Sequence, residues 1–145
     1  MTALLSRAQH ESLLAVVRTA FPHASFPLGP YERATEKVVA KADQDPRFLA
    51  QLLQGLTDLD AQRDQRFSEL EDDTAAAVLR GVDRTPFLTG IVDVVIVALY
   101  SDPEVWDLLG YQGPSFDQGG YLERGFDDLN WLPDPQIADF DEVTA

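Results

Sequence analysis

The chain has 145 residues, of which 45% are hydrophobic, and its 25 acidic against 11 basic residues give a net charge of -14. This length and hydrophobic content predict one domain with a core of its own. The charge argues against nucleic acid or an anionic membrane surface as a partner, and the absence of cysteine excludes disulfides, thiolate zinc sites and a cysteine nucleophile.

The N-terminal part of the chain carries amphipathic helical patterns. Ser6 and Gln9 have the spacing of a capping box, and the apolar stripe that follows predicts a helix that Pro22 ends. Residues 21–29 are rich in proline and glycine and predict a loop. Pro30 suits a first helical position, so we expect a second helix to begin there and to run to Ala42.

Three further helices begin with one local device, in which a capping oxygen stands directly before a proline. The pairs are Asp45-Pro46, Thr85-Pro86 and Asp102-Pro103. The proline fixes its own φ for a first turn and keeps the preceding residue out of the helical region, where an N-cap belongs. We expect helices over residues 46–60, 86–100 and 103–109. A capping box of Ser68 and Glu71 predicts one more, over residues 69–80.

Residues 86–100 are the hardest to assign, because their β-branched side chains suit a buried strand equally well. The Thr-Pro start, the length and the lack of another strand to pair with favour a helix. Since it is apolar on nearly every side, we expect it to be the central helix, with Asp93 facing a polar group or solvent. The predicted fold is all-α, a single-domain bundle of about six helices with a long irregular aromatic C-terminal segment.

That C-terminal segment, residues 100–133, holds both tryptophans without a helical or strand period. A long aromatic loop is uncommon in a compact domain unless it is functional. We expect a helical domain over residues 1–133, which includes an interface loop at 111–133, and an acidic, flexible tail at 134–145. The predicted partner-interface residues are Tyr100, Trp106, Tyr111, Phe116, Tyr121, Phe126 and Trp131.

No catalytic, metal-binding or cofactor-binding set is predicted in this chain. His10 and His23 lack a metal-ligand motif, and neither a nucleophile-elbow serine nor a phosphate-binding glycine pattern occurs. Carboxylates at 71–73 suit the first turn of a helix, where the dipole favours negative charge. Asp127, Asp128 and Asn130 in the aromatic loop leave an alternative, an independent sugar-binding domain or enzyme.

The segment from Tyr100 to Pro114 carries a pattern of its own. It contains Tyr100-Ser101-Asp102-Pro103, then Trp106, Gly110-Tyr111 and Gly113-Pro114. This pattern resembles the C-terminal signature of the gluconate 2-dehydrogenase subunit 3 family, and residues 56–70 are similar to the middle segment of that family. The resemblance implies a noncatalytic small subunit that stabilises a larger flavoprotein of the glucose-methanol-choline type and assists its maturation. It also implies that the flavoprotein holds FAD and oxidises a sugar or polyol, and that a cytochrome accepts the electrons.

The resemblance leaves the location of the protein open. Many members of the family carry a twin-arginine signal, whereas residues 1–20 show neither that signal nor a secretory one. We therefore expect a cytoplasmic protein, with the periplasm as the alternative if a signal-bearing partner exports it. The apolar run that ends at Tyr100 is too short to predict membrane insertion. A further hypothesis is a helical chaperone that releases its client after flavin loading.

Overall fold

The computed structural model describes residues 4–120. Within this range the protein is all-helical, as predicted, and contains no strand. Two short 3-10 turns accompany six α-helices. The helices are α1 (Arg7–Ala20), α2 (Leu28–Gln44), α3 (Pro46–Ala61), α4 (Asp72–Arg80), α5 (Pro86–Tyr100) and α6 (Pro103–Leu109).

The predicted helix starts at the prolines are confirmed. Asp45 accepts hydrogen bonds from the first backbone N–H groups of α3, at 3.0 Å, and Asp102 does the same for α6. The Thr85 hydroxyl accepts the Leu88 N–H at the start of α5, at 3.4 Å. Each cap satisfies backbone donors that lack an intrahelical partner, so these boundaries are determined by a few neighbouring residues. The Ser6 capping box at the start of α1 is also formed.

Helix α2 begins at Leu28, two residues before the predicted Pro30. Pro30 is buried within the first turn, where its missing N–H costs no intrahelical hydrogen bond. The cap residue is Pro27, which makes no side-chain capping hydrogen bond. Without a polar cap the sequence gives no local sign of this start, so the loop prediction for residues 21–29 extended too far.

The predicted capping box of Ser68 and Glu71 is wrong. Residues Phe67–Glu69 form a separate 3-10 turn, and α4 begins only at Asp72. Phe67 is buried, and its N–H donates to the Asp60 carboxylate at 2.9 Å, which anchors the chain to α3 before the helix starts. The same carboxylate accepts the hydroxyl of the buried Ser12 in α1 at 3.0 Å. This contact between distant segments has no signature in the local sequence.

Helix α5 contacts α1, α2, α3 and α6, and its helical assignment is confirmed. Its sequence is apolar on nearly every side, yet the helix is not buried all round. One side packs in the core, whereas Asp93, Ile96, Val97 and Tyr100 are exposed among the described residues. The buried residues of α5 are Phe87, Leu88, Ile91, Val95 and Leu99.

Two glycines let α3 and α5 approach closely. Gly55 of α3 lies against Phe87 of α5, and a Cβ added there would overlap the phenyl ring, with three ring carbons within 2.7 Å. Gly90 of α5 receives Phe48 of α3 in the same way, with Cε2 at 2.7 Å from an added Cβ. Each helix therefore inserts a ring where the other has no side chain. The contact with Phe87 explains why position 55 holds glycine, although glycine is a poor helix former.

The contact pattern divides the chain into two units, Met1–Tyr111 and Gln112–Ala145. The first contains all six helices that the structure describes. In the described part of the second, a 3-10 turn spans Phe116–Gln118 and ends at Gly119, and Gly113, Gly119 and Gly120 have positive φ. These glycines adopt the left-handed backbone that glycine permits in turns. The rest of the predicted interface loop, residues 121–133, and the predicted tail, 134–145, lie outside the described residues.

No single helix of the described segment is long and apolar enough to cross a membrane. Only α5 and α6 taken together reach that length and composition, and the pair is bent by 67°.

Candidate functional site

The described residues hold no group of three or more potential metal ligands. His10 contacts Glu36 at 2.9 Å on the surface, and His23 contacts Tyr100, so the two histidines are not brought together. Every buried side-chain nitrogen or oxygen between residues 4 and 120 has a hydrogen-bond partner. The features that stand out instead are exposed apolar side chains at the end of α5 and on α6.

A ridge of exposed side chains runs along the outer side of α5. Ile96 and Val97 follow Asp93 by three and four residues and precede Tyr100 by four and three, which places the four residues on one face of the helix. Val97 is 65% exposed and Ile96 is 48% exposed. We call these four residues the α5 ridge. Single exposed apolar residues are common on protein surfaces, but a stripe of them on one helix face is typical of an interaction site.

Trp106 of α6 extends the apolar surface from the end of the α5 ridge. Its indole N–H donates to the backbone oxygen of Tyr100 at 2.6 Å, and its ring meets Tyr111 edge to face with centroids 5.3 Å apart. Leu108 and Leu109 on the same short helix are 47% and 59% exposed. Gly110 ends α6 in a left-handed conformation, and the chain turns so that the Tyr111 N–H donates to the oxygen of Trp106 at 2.9 Å.

The ring of Tyr100 is held from the other side by the loop between α1 and α2. Its hydroxyl lies 2.6 Å from Nε2 of His23, and its ring meets Phe21 edge to face at 6.2 Å. His23 in turn stacks on Phe26, with centroids 4.2 Å apart. Since aromatic contacts and a hydrogen bond restrict it, Tyr100 presents a defined surface and loses little conformational freedom on binding.

An arginine fork, formed by Arg33 with Asp102 and Glu104, joins α2 to the start of α6. Arg33 donates to both carboxylate oxygens of Asp102, at 2.6 and 2.9 Å, and to Glu104 at 2.7 Å. These hydrogen bonds lower the pKa of Asp102 below its ordinary value, against the opposing effect of burial, and the Glu104 N–H lowers it further. Asp102 therefore stays ionised while it caps α6, and the fork fixes the direction in which α6 leaves α5.

Two grooves flank the α5 ridge. The first, of about 560 Å³, lies between α5, α2 and the start of α6, and its lining includes Arg33, Lys37 and Val97. The second, of about 480 Å³, lies on the opposite side against α1 and α4, and its lining includes Asp93 and Asp83. The surface thus has the alternating ridge and grooves on which helices pack.

Comparison of the chain with protein-family models, curated proteins and solved structures gives no match. The functional interpretation therefore rests on the chemistry of the α5 ridge and of Trp106, Leu108 and Leu109 on α6, which we call the α6 surface.

Three of the predicted interface residues are brought together. Tyr100, Trp106 and Tyr111 form one continuous group at the junction of α5 and α6. Phe116, in the second unit, is 96% exposed. The other three predicted residues lie outside the described range: Tyr121, Phe126 and Trp131. The same holds for Asp127, Asp128 and Asn130 of the alternative sugar site.

Sequence reasoning missed Ile96 and Val97 as surface residues. Both stand in an apolar run that only Asp93 interrupts, and such a run is the usual mark of a buried helix. Asp93 was the available signal, because a carboxylate in such a run marks a side that faces solvent, and Val97 lies one turn beyond it. The contact between His23 and Tyr100 was also missed, since 77 residues separate the two in the chain.

Proposed function

We propose that the chain is a noncatalytic small subunit of a FAD-dependent sugar dehydrogenase, which stabilises a catalytic flavoprotein of the glucose-methanol-choline type. The observation that supports this most is the exposed apolar surface of the α5 ridge with Trp106 and Tyr111. Tyr100, Trp106 and Tyr111 belong to the segment that resembles the gluconate 2-dehydrogenase subunit 3 family. One segment thus carries both the resemblance and an apolar surface that suits a partner protein.

The chemistry of this surface favours protein binding. Aromatic residues are enriched at interface cores, where Lys and Glu are depleted. Tyr100 and Trp106 are large, rigid side chains that are already held by hydrogen bonds, as is typical of residues that dominate binding energy. On this proposal FAD, the sugar site and the transfer of electrons to a cytochrome belong to the partner complex.

The proposal is tested by affinity purification of the tagged full-length chain from its native cells, followed by absorbance spectra of the eluate. We expect an equimolar flavoprotein of several hundred residues and a flavin spectrum. Val97→Glu places a charge on the ridge and should release the flavoprotein. Ala50→Glu makes a similar change at an exposed position of α3 and should retain it. A chain that elutes alone and without flavin contradicts the proposal.

The rest of the predicted interface is tested in the same assay. Tyr121→Ala and Trp131→Ala should each weaken association by a few kcal/mol if the interface extends into the loop at 111–133. Association of wild-type strength in both variants would restrict the interface to the α5 ridge and the α6 surface.

A further inference from the structure

The hydroxyl of Tyr100 is held by a residue outside the α5 ridge. It lies 2.6 Å from Nε2 of His23, in the loop between α1 and α2, and the two rings also meet edge to face with centroids 5.8 Å apart. Tyr100 is 38% exposed, whereas His23 is half-buried. Tyr100 is therefore the member of this pair that is open to a partner.

The loop that carries His23 is anchored to the core. Tyr31 of α2 is buried, and its hydroxyl donates to the Phe21 oxygen at 2.6 Å and accepts the His23 N–H at 3.1 Å. The imidazole of His23 stacks on Phe26, with the ring centroids 4.2 Å apart. Because both its backbone and its ring are held, His23 is a fixed partner for the Tyr100 hydroxyl.

Holding Tyr100 in advance favours binding. A side chain that moves freely on the surface loses its rotamer freedom when a partner covers it, and this loss lowers the affinity. Tyr100 has already lost much of that freedom in the free chain, because His23 and the ring of Phe21 restrict it. Large, rigid side chains of this kind dominate the binding energy of many interfaces.

We infer that His23 is a positioning residue of the proposed interface and that it raises the affinity for the partner by holding Tyr100 in its binding conformation. His23 acts through the Tyr100 hydroxyl and not through a bond of its own to the partner. The inference rests on the proposed function in that the partner contacts Tyr100. A role for His23 in packing alone is the competing explanation, because its ring also stacks on Phe26.

Three substitutions separate the hydrogen bond from the packing. His23→Phe keeps an aromatic ring to stack on Phe26 and removes the bond to Tyr100. His23→Gln places an amide near the position of Nε2, so it restores the bond without the ring. We expect His23→Phe to weaken binding by about two- to tenfold and His23→Gln to stay near the wild-type affinity. His10→Phe is the matched control, because His10 contacts Glu36 instead and its loss should leave the affinity unchanged.

Binding is measured with the protein that co-purifies with the tagged full-length chain and that Val97→Glu releases. This protein is purified and titrated against each variant by surface plasmon resonance. Tyr100→Phe removes the hydroxyl itself and should weaken binding as much as His23→Phe. Because Tyr100 is exposed, this variant tests the bond even if His23→Phe fails to fold. The double variant should weaken binding no further, because both substitutions remove the same hydrogen bond.

The mobility of Tyr100 is measured in the free chain, where no partner is needed. The chain has four tyrosines, and NMR of the isotope-labelled tyrosine rings identifies the Tyr100 signal by its loss in Tyr100→Phe. We expect relaxation of this signal to show a more mobile ring in His23→Phe than in the wild type or in His23→Gln. Urea unfolding of the same variants shows whether a loss of affinity merely follows a loss of stability.

Four results would overturn the inference. The first is wild-type affinity in Tyr100→Phe or in a folded His23→Phe chain. The second is a double variant whose loss is the product of the two single losses, which means that His23 acts by another route. The third is a His23→Gln chain that binds as weakly as His23→Phe, which assigns His23 to packing. The fourth is the absence of any protein that Val97→Glu releases.

A failure of the proposed function gives a different result. If the protein that Val97→Glu releases carries no flavin, the proposed function is contradicted. The substitutions at positions 23 and 100 would still decide the inference, because they measure how His23 affects binding to whichever protein covers Tyr100.

Discussion

The close crossing of α3 and α5 predicts that Gly55→Ala destabilises the protein, although alanine is the better helix former. The substitution gains about 1 kcal/mol of helix propensity. The new methyl group overlaps three carbons of the Phe87 ring, which is only 7% exposed. Overpacking of this kind costs about 1–3 kcal/mol and occasionally more. With a cost at the upper end of that range, the net loss is about 2 kcal/mol.

Urea unfolding followed by circular dichroism measures this loss as a fall in the midpoint of about 1 M at an unchanged slope. Gly81→Ala is the control, because Gly81 has a φ of -69° that alanine adopts readily and an added Cβ meets only the Val78 carbonyl oxygen, at 3.2 Å, so its effect should be much smaller than that of Gly55→Ala. Phe87→Leu should recover part of the loss in the Gly55→Ala background, since the smaller side chain leaves room for the methyl group. A Gly55→Ala protein as stable as the wild type would refute the crossing as described.

Three other substitutions test the arginine fork, the hydrogen bonds of Asp60 and the exposure of Val97. Asp102→Asn should lower the free energy of unfolding by about 1–3 kcal/mol at pH 7. Because folding lowers the pKa of Asp102, the difference from the wild type should shrink as the pH falls below about 4. A difference that stays constant in urea titrations across this pH range would count against the arginine fork. Asp60→Ala removes the acceptor of the Ser12 hydroxyl and the Phe67 N–H and should lower the free energy of unfolding by about 2–4 kcal/mol. An unchanged urea midpoint would show that these two hydrogen bonds do not stabilise the fold. Val97→Glu should change stability by less than about 0.5 kcal/mol in the same assay, whereas a large loss would mean that Val97 is buried.

Local chemistry explains why much of the fold was predictable. The starts of α3, α5 and α6 depend on a capping oxygen and a proline that are adjacent in the sequence. The end of α6 likewise depends on Gly110, which adopts the positive φ that glycine permits. In these cases one or two residues determine the backbone, and the prediction needed no knowledge of tertiary contacts.

The errors arose where a distant contact decides the structure. The start of α4 depends on Asp60, which holds Phe67 from another helix. The candidate surface shows the same limit, because apolar periodicity indicates that α5 packs in a core without indicating which side the other helices leave exposed. Tyr100 was predicted from its aromatic character, whereas Val97 became visible only from its exposure.

Photo-crosslinking can show whether the α5 ridge contacts a flavoprotein partner. A photoreactive amino acid replaces Val97 in the full-length chain in its native cells, and a second variant carries it at Ala50 as the control. We predict that the probe at position 97 crosslinks to a flavin-containing protein and that the probe at position 50 does not. Crosslinks from position 97 only to another copy of this chain, or to no protein at all, would contradict the account.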